Sequence, residues 1–418
     1  MEYLIIGNSV AGTSCSEKIR SIDKEGKITI LSEESFAAYG RPLISYYLSG
    51  KVDASLMQYR TEEFYKKNKI NVVLNCKALN IDVKNKKVKC SNNKVYGYDK
   101  LLVATGSVPF VPPVKGIENQ KNTFTFLKLE DAKKIEKNVT KKSNVVIVGA
   151  GLIGLKAAEA LADKVATIAV VDLADRLMAS VLDKQTAFII QKYIEKNKVN
   201  FYLSNTVAEV SKDSVVLKNG EKLPCDILIM AVGVKPNTEA ALTAGIKINR
   251  GIIVNEYMAT SVKDIFSAGD CVESLDLLSN QNKVLALWPN AYMQGETAGS
   301  NMAGVKNEFK GSFAMNAIGF FGIQLISAGL VDPKDEKYKI YIEENEKDIT
   351  YKKLVVQDNK LLGFALLNLP DRAGIYTSLI NDQIKLDSLN YDITKKDIGL
   401  NVFPQDIRHN KMFRSNKQ

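Results

Sequence analysis

Two short glycine-bearing stretches carry the residues best suited to chemistry. In 3-YLIIGNSVAG-12, Gly7, Ser9 and Gly12 occupy the three positions of a G-x-G-x-x-G turn. In 144-NVVIVGAG-151 and the LIGLKAAEALA that follows, Gly149, Gly151 and Gly154 fill the pattern completely. The first position lets the chain turn sharply, and the second lets backbone approach a pyrophosphate. The third lets helix and strand pack closely, with the phosphates at the helix N-terminus. Ser9 departs from the pattern by adding a small side chain. An acid follows each turn at the spacing of a ribose-binding carboxylate. Glu33 lies 21 residues after Gly12, and Asp172 lies 18 after Gly154. An acid at Asp172 accepts from a ribose 2′-OH and repels a 2′-phosphate, so this turn should prefer NAD(H) to NADP(H). Arg176, close by in LADRLM, is the residue that would act in the opposite sense.

These groups need a strand, a turn, a helix and a second strand to hold them, and the sequence supplies that frame twice. The strands 27-KITILSEE-34 and 166-ATIAVVD-172 end in the two acids. Further along, 98-YDKLLVATGSVP-109 echoes 225-CDILIMAVGVKPN-237, each an acid, an apolar strand, then a small-residue turn with Gly and Pro. Two α/β units with matching closing strands predict two related dinucleotide-binding domains, one for each of two cofactors.

Other stretches add chemistry to that frame. The strand in 261-SVKDIFSAGDC-271 ends at Gly269-Asp270, where a carboxylate can accept from a polyol such as a flavin ribityl chain; a plain turn Asp is the alternative. In 287-LWPNAYMQGETAGSNMAG-304, Pro289-Asn290 opens a helix rich in small residues. A helix N-terminus directed at a flavin would stabilise negative charge there. The loop 35-SFAAYGRPLISYYLSG-50 follows the first unit directly, yet carries no Cys, His or acid.

Composition removes several classes. At 418 residues the chain has room for two or three domains. No apolar run approaches the ~20 residues of a membrane span, and MEYLIIGNS enters a strand without a basic leader, which predicts a cytoplasmic protein with no membrane partner. The five cysteines, Cys15, Cys76, Cys90, Cys225 and Cys271, form no CxxC or CxxxxC pair. That argues against a zinc site, an iron–sulphur cluster or a local dithiol. Most read as small buried hydrophobes, with distant pairs left open. The single histidine, His409, sits in the polar tail, so reactivity should come from a cofactor. The net charge of +10 is spread along the chain rather than gathered on a nucleic-acid motif; an acidic protein partner suits it as well as nucleic acid does, and charge alone does not choose between them.

Taken together, GNSVAG, YGRPLIS, LLVATGSVP, GAGLIGLKAAEAL, VVDLADRLM, AVGVKPN, SAGDC and WPNAYMQG, in this order over residues 1 to about 305, resemble the FAD- and NAD(P)H-dependent pyridine-nucleotide oxidoreductases. Within them the chain is most similar to NADH:rubredoxin reductases, ferredoxin reductases and the flavin region of NADH-dependent nitrite reductases. The resemblance implies an α/β fold with two Rossmann-like, glutathione-reductase-like domains and a small C-terminal α+β domain. The expected division is an FAD-binding domain at 1–109 and 237–306, an NADH-binding domain at 110–236, and a C-terminal domain with a polar tail at 307–418. It implies FAD contacts at Gly7, Ser9, Gly12, Glu33, Arg41, Pro42, Ala78, Ala104, Thr105, Gly106 and Asp270. Trp288 and Ala291 would lie near the flavin ring, and Gly149, Gly151, Gly154, Asp172 and Gly233 would hold NADH.

Two departures from the family pattern bear on the reaction. Relatives that reduce disulphides, peroxide or oxygen carry a redox Cys in or near the loop where Tyr39 and Gly40 stand here. The helix after the second turn usually reads GLE, its Glu paired in ferredoxin reductases with a Lys whose place is roughly Ser45; here it reads Gly154-Leu155-Lys156. Lys156 is thus expected either to place positive charge beside the flavin or to reach solvent. The implied activity is electron transfer from NADH through flavin to a small acidic carrier, rubredoxin or similar. Alternatives are the NADH-oxidising subunit of a larger reductase such as nitrite reductase, a flavin-only NADH oxidase or peroxidase, and a non-catalytic flavin redox sensor.

Overall fold

The computed structural model describes residues 1–389, 391–395, 398–405 and 407–409. The polar tail at 410–418 lies outside the described residues.

The two predicted α/β units fold into two five-stranded parallel sheets of matching plan. In the first, Glu2–Ile6 is central, with Lys27–Leu31 and then Ile70–Val73 on one side. Lys100–Val103 and then Ile265–Ser267 lie on the other side. In the second sheet Asn144–Val148 is central, flanked by Thr167–Val171 and Val199–Tyr202, and on its other side by Ile227–Met230 and Thr123–Thr125. The strands are continuous apolar runs, as strands covered on both faces must be. Ile5, Leu102, Val146 and Ile229 are wholly buried.

The echo extends to single hydrogen bonds. Asp99 accepts from the Glu2 N–H at 2.7 Å, and Asp226 accepts from the Asn144 N–H at 2.7 Å. The acid that begins each closing strand therefore caps the first strand of its own sheet. Gly7 N donates to Leu31 O at 2.9 Å and Gly149 N to Val171 O at 2.8 Å, at φ of +120° and +115°. A Cβ at Gly7 would stand 2.0 Å from Ala104 O, and one at Gly149 would stand 2.3 Å from Ala231 O. Both turns therefore require glycine for backbone conformation and for space. Each sheet also carries a three-stranded antiparallel meander, Ala78–Asp82 with Lys87–Cys90 and Val95–Gly97, and Val207–Val210 with Ser214–Leu217 and Lys222–Pro224.

The two units meet where Ser107–Pro109 pairs antiparallel with Val234–Pro236. Residues 315–367 form a five-stranded antiparallel sheet in the order Met315–Phe320, Ile323–Gly329, Lys360–Leu367, Thr350–Gln357 and Lys339–Asn345. One face packs under the helix Ala373–Asn381, with Phe364 and Tyr376 in contact. The other face places Phe320, Leu325 and Tyr351 in the core of the second unit. Among the described residues no helix is long and apolar enough to cross a membrane, and no cluster of His, Cys, Asp and Glu suits a metal.

Candidate functional site

Parallel strands end on one side, and the turns after them open into a cavity of about 550 Å³. Two helices begin at its wall. Val10–Ile22 starts after Ser9, and Trp288–Met302 starts at Trp288 with Pro289 in its first turn. Small residues let these helices cross closely, since a Cβ at Gly295 would meet Ala11 O at 2.3 Å. Ser14 Oγ donates across the crossing to Tyr292 O at 3.1 Å. Neither helix has an acid in its first turn or a side-chain N-cap bond, which leaves free N–H groups and a partial positive charge at each start.

Most of the expected FAD residues are gathered on this wall. Gly7, Ser9, Glu33, Arg41, Pro42, Ala78, Ala104, Thr105, Gly106, Asp270, Trp288 and Ala291 all line the cavity, and so does Lys156. Gly12 does not. It lies in the helix with its Cα against Gly7 O, where an added Cβ would approach to 1.9 Å, so its part is packing.

The charged groups on the wall are organised by one another. Arg41 is ion-paired with Glu34, lies 5.6 Å from the Tyr39 ring centroid and donates to Leu127 O at 3.4 Å. Tyr39 donates to Glu34 at 2.6 Å and accepts from the Leu129 N–H at 3.0 Å, which ties the 35–50 loop to the second unit. Glu33 faces Lys128 at 3.5 Å and stays half-exposed, with capacity for a hydroxyl. Asp270 accepts from Ser107 Oγ at 3.1 Å. Burial pushes its carboxyl above the usual range, against the pull of Ser107 and Arg41. Trp288 meets Tyr59 edge to face at 5.2 Å, and Arg60 covers Tyr59 at 4.1 Å while gripping Glu17 with two nitrogens.

Lys156 is largely buried, with 13% of its side chain exposed. Its Nζ is ion-paired with Glu159, donates to Gly319 O at 2.8 Å and lies 4.6 Å from the Tyr46 ring centroid. Tyr46, one residue beyond Ser45 on the short helix Ile44–Ser49, stands over the lysine. Ser45 is buried, with its Oγ unpartnered. Glu34, Tyr46 and Glu159 are not among the expected site residues, and Tyr39 was expected only to stand where relatives carry a redox Cys. The Glu33-Glu34 doublet and the three-residue spacing of Lys156 and Glu159 were the available signals.

The residues expected to hold NADH collect at the C-terminal edge of the second sheet, outside the wall of the main cavity. Gly149, Gly151 and Gly154 form its turn, and Leu152–Leu161 starts at Gly151 without a first-turn acid. A Cβ at Gly151 or at Gly233 would meet nothing within 4 Å, although the φ of +109° at Gly233 favours glycine there. Asp172 accepts from the Ala150 N–H at 2.6 Å and from the Ala174 N–H at 2.7 Å, bracing the glycine turn. Arg176 is turned away into Asp332, Asp175 and the carbonyls of Ala179 and Leu182. All five cysteines are free and buried, and His409 is exposed.

A cavity of this size, with two acid-free helix starts, suits a dinucleotide. Asn8 Nδ2 and Ser45 Oγ, on residues of the same wall, are buried polar atoms with no protein partner. Known proteins agree with this arrangement. The pyridine nucleotide-disulphide oxidoreductase family model matches residues 1–295, and the rubredoxin NAD+ reductase C-terminal domain matches residues 315–384. The chain is 31% identical over 371 residues to a nitrite reductase [NAD(P)H] of Bacillus subtilis, covering 87% of this chain and 45% of that protein. It is 34% identical over 323 residues to an NADH oxidase of Methanocaldococcus jannaschii, covering 74% and 71%. The solved NADH:rubredoxin oxidoreductase of Clostridium acetobutylicum superposes with a TM-score of 0.77 at 25% identity, over 95% of this chain and 98% of that one.

Proposed function

The chain belongs to the pyridine nucleotide-disulphide oxidoreductases, and from that premise we propose that it passes electrons from NADH through FAD to a small acidic carrier protein, rubredoxin foremost. The observation that carries this reading is the wall contributed by residues 36–46. It presents aromatic rings, aliphatic groups and the Arg41 guanidinium, and no thiol. Cys76, the one cysteine on the cavity wall among the described residues, is buried on the meander side beside Ala78. A thiol relay therefore has no group to work with where the family places one, and electrons leave from the cofactor edge. The C-terminal match to a rubredoxin reductase domain supports the same direction.

The residues present fit FAD, which when bound takes a hydride from NADH and releases electrons one at a time. The N–H groups after Ser9 would receive its pyrophosphate and Glu33 a ribose hydroxyl, while Asp270 would accept from its polyol. The N–H groups at the start of Trp288–Met302 would favour negative charge on the ring. Asp172 would select NADH over NADPH, because Arg176, the nearby cation, is already bound to two acids. Hydride transfer needs no protein acid or base, so the absence of a catalytic histidine is no obstacle.

The test is anaerobic reduction by NADH followed by a panel of rubredoxin, ferredoxin, a disulphide, peroxide and oxygen. Fast turnover with rubredoxin alone is expected. Fast NADH consumption with oxygen or peroxide would replace the reading with an oxidase or peroxidase, and negligible turnover with every acceptor would replace it with a redox sensor. A second reading rests on the nitrite reductase, of which this chain spans less than half. There it would be the NADH-oxidising part of a larger reductase, and co-purification with a haem or iron–sulphur subunit would favour it.

A further inference from the structure

A second cavity, of about 260 Å³, lies between the second unit and the C-terminal sheet. The loop after Asp172 lines one side with Arg176 and residues 179–182, and the C-terminal domain lines the other with Asn316 and residues 327–332. Ser327 is buried at 1% exposure, and its Oγ has no hydrogen-bond partner among the described residues. Asn316 stands directly opposite it on the neighbouring strand, so both side chains turn to the face that packs on the second unit. Ile318 and Leu325, two residues along, reach the second unit's core from that same face. Asp332 accepts from Arg176 at 3.1 Å and from Lys334 at 2.7 Å, both on Oδ2. Arg176 makes four hydrogen bonds in all, which leaves one N–H of its guanidinium.

We propose that this cavity is a binding site for a short aliphatic carboxylate. A buried hydroxyl without a partner costs free energy, and an acceptor delivered by a ligand relieves that cost. Arg176 and Lys334 against Asp332 leave the wall one positive charge in excess, and the outlying pair Asp175–Lys184 does not change the balance. The guest is therefore a monoanion. Leu182, Leu330 and Val331 give the rest of the wall an apolar surface, which suits an alkyl chain. The volume is less than half that of the main cavity, too small for a second dinucleotide. Phosphate is the poorer match, because Asp332 shares the wall and the helix start beyond Leu182 is already capped by Asp183. A bound carboxylate would bridge the Arg176 loop and the C-terminal sheet, alongside the Arg176–Asp332 pair.

Isothermal titration calorimetry of the FAD-loaded full chain tests this, with sodium butyrate as the probe and butyramide and inorganic phosphate as controls. Butyrate should bind at one saturable site and raise the melting temperature of the protein. Butyramide, which has nearly the same shape without the charge, should bind about tenfold more weakly. Ser327→Ala and Lys334→Gln should each weaken butyrate about three- to tenfold. Ser327→Ala removes an unpaired hydroxyl, so without ligand it should melt no lower than wild type. Lys334 is mostly exposed, and its replacement should leave the fold intact. No saturable heat with millimolar butyrate, equal binding of butyrate and butyramide, or tighter binding of phosphate would each overturn the proposal. So would a butyrate affinity unchanged in both variants, which would place the anion elsewhere on the protein.

Discussion

Lys156 and Glu159 form an ion pair one helical turn apart, and both ends of it are fastened to the same hairpin of the C-terminal sheet. Lys156 donates to Gly319 O at 2.8 Å, and Glu159 accepts from the Phe321 N–H at 2.8 Å. By the resemblance, Lys156 stands where relatives carry a glutamate, and its counter-charge lies one turn further along the same helix. The cavity wall therefore receives a cation whose field is partly cancelled from behind. Only Lys156 of the two lines the cavity.

That geometry predicts effects of opposite sign on the flavin. Removing the cation in Lys156→Gln should lower the two-electron midpoint potential, because the reduced, more negative cofactor loses a favourable neighbour. Removing the counter-charge in Glu159→Gln should raise it. A change of about 1.4 kcal/mol corresponds to ~30 mV for two electrons, and shifts up to that size are expected. Spectroelectrochemical titration of both variants decides the matter. If the two move the potential in the same direction, or neither moves it, the electrostatic role is wrong.

Asp172 should govern the choice of nicotinamide cofactor. Asp172→Asn removes the charge that would repel a 2′-phosphate yet leaves an acceptor for the Ala150 N–H, so the glycine turn keeps its support. The ratio of kcat/KM for NADPH to that for NADH should rise about tenfold, equivalent to ~1.4 kcal/mol. An unchanged ratio would mean that selectivity lies elsewhere on the site.

The glycine turns, their acids and their closing strands were legible because each is a local pattern with a local cause. Gly7 and Gly149 are required by positive φ and by the carbonyl pressed against them, and such demands are written into single positions. The partners of the charged residues were not legible. Arg41 with Glu34, Lys156 with Gly319 and Arg176 with Asp332 depend on where loops and the C-terminal sheet come to rest. The sequence placed Lys156 at a family position but could not reveal that a hairpin some 160 residues later would hold it. Of the fifth strands of the two sheets, Ile265–Ser267 was legible as a strand, while Thr123–Thr125 was hidden for the same reason. Each reaches its sheet from outside the repeated unit.

Acid stability should depend on Asp264, at the start of the strand Ile265–Ser267. Lys100 at 2.6 Å and Lys86 at 2.7 Å hold its carboxyl down to about 2. The carboxylate ionises near 3.9 in an unfolded chain. Its contribution is therefore complete above about pH 4 and disappears as pH falls through 2. Asp264→Asn should be less stable than wild type at neutral pH by on the order of 1 kcal/mol after solvent screening. Urea melts across pH should show that difference closing between pH 4 and 2. A constant gap would count against the pairing.

A buried lock between the second unit and the C-terminal sheet is the pair Asp183–Lys353, at 2.5 Å with both side chains under a tenth exposed. Asp183 also caps the helix Lys184–Glu195 through the Thr186 N–H at 2.8 Å and accepts from Tyr351 at 3.1 Å. Burial pushes the carboxyl up, and Lys353 with the Thr186 cap outweighs it, so the group stays ionised. Lys353→Met removes the cation and leaves the carboxylate buried, which should cost about 3–5 kcal/mol. Asp183→Asn should cost less, because the amide oxygen can still cap the helix. The double substitution should be more stable than Lys353→Met alone, since no unpaired charge remains, and a thermodynamic cycle over the four proteins isolates the coupling. Strict additivity would show that the two side chains act independently, and that this pair does not couple the sheet to the second unit.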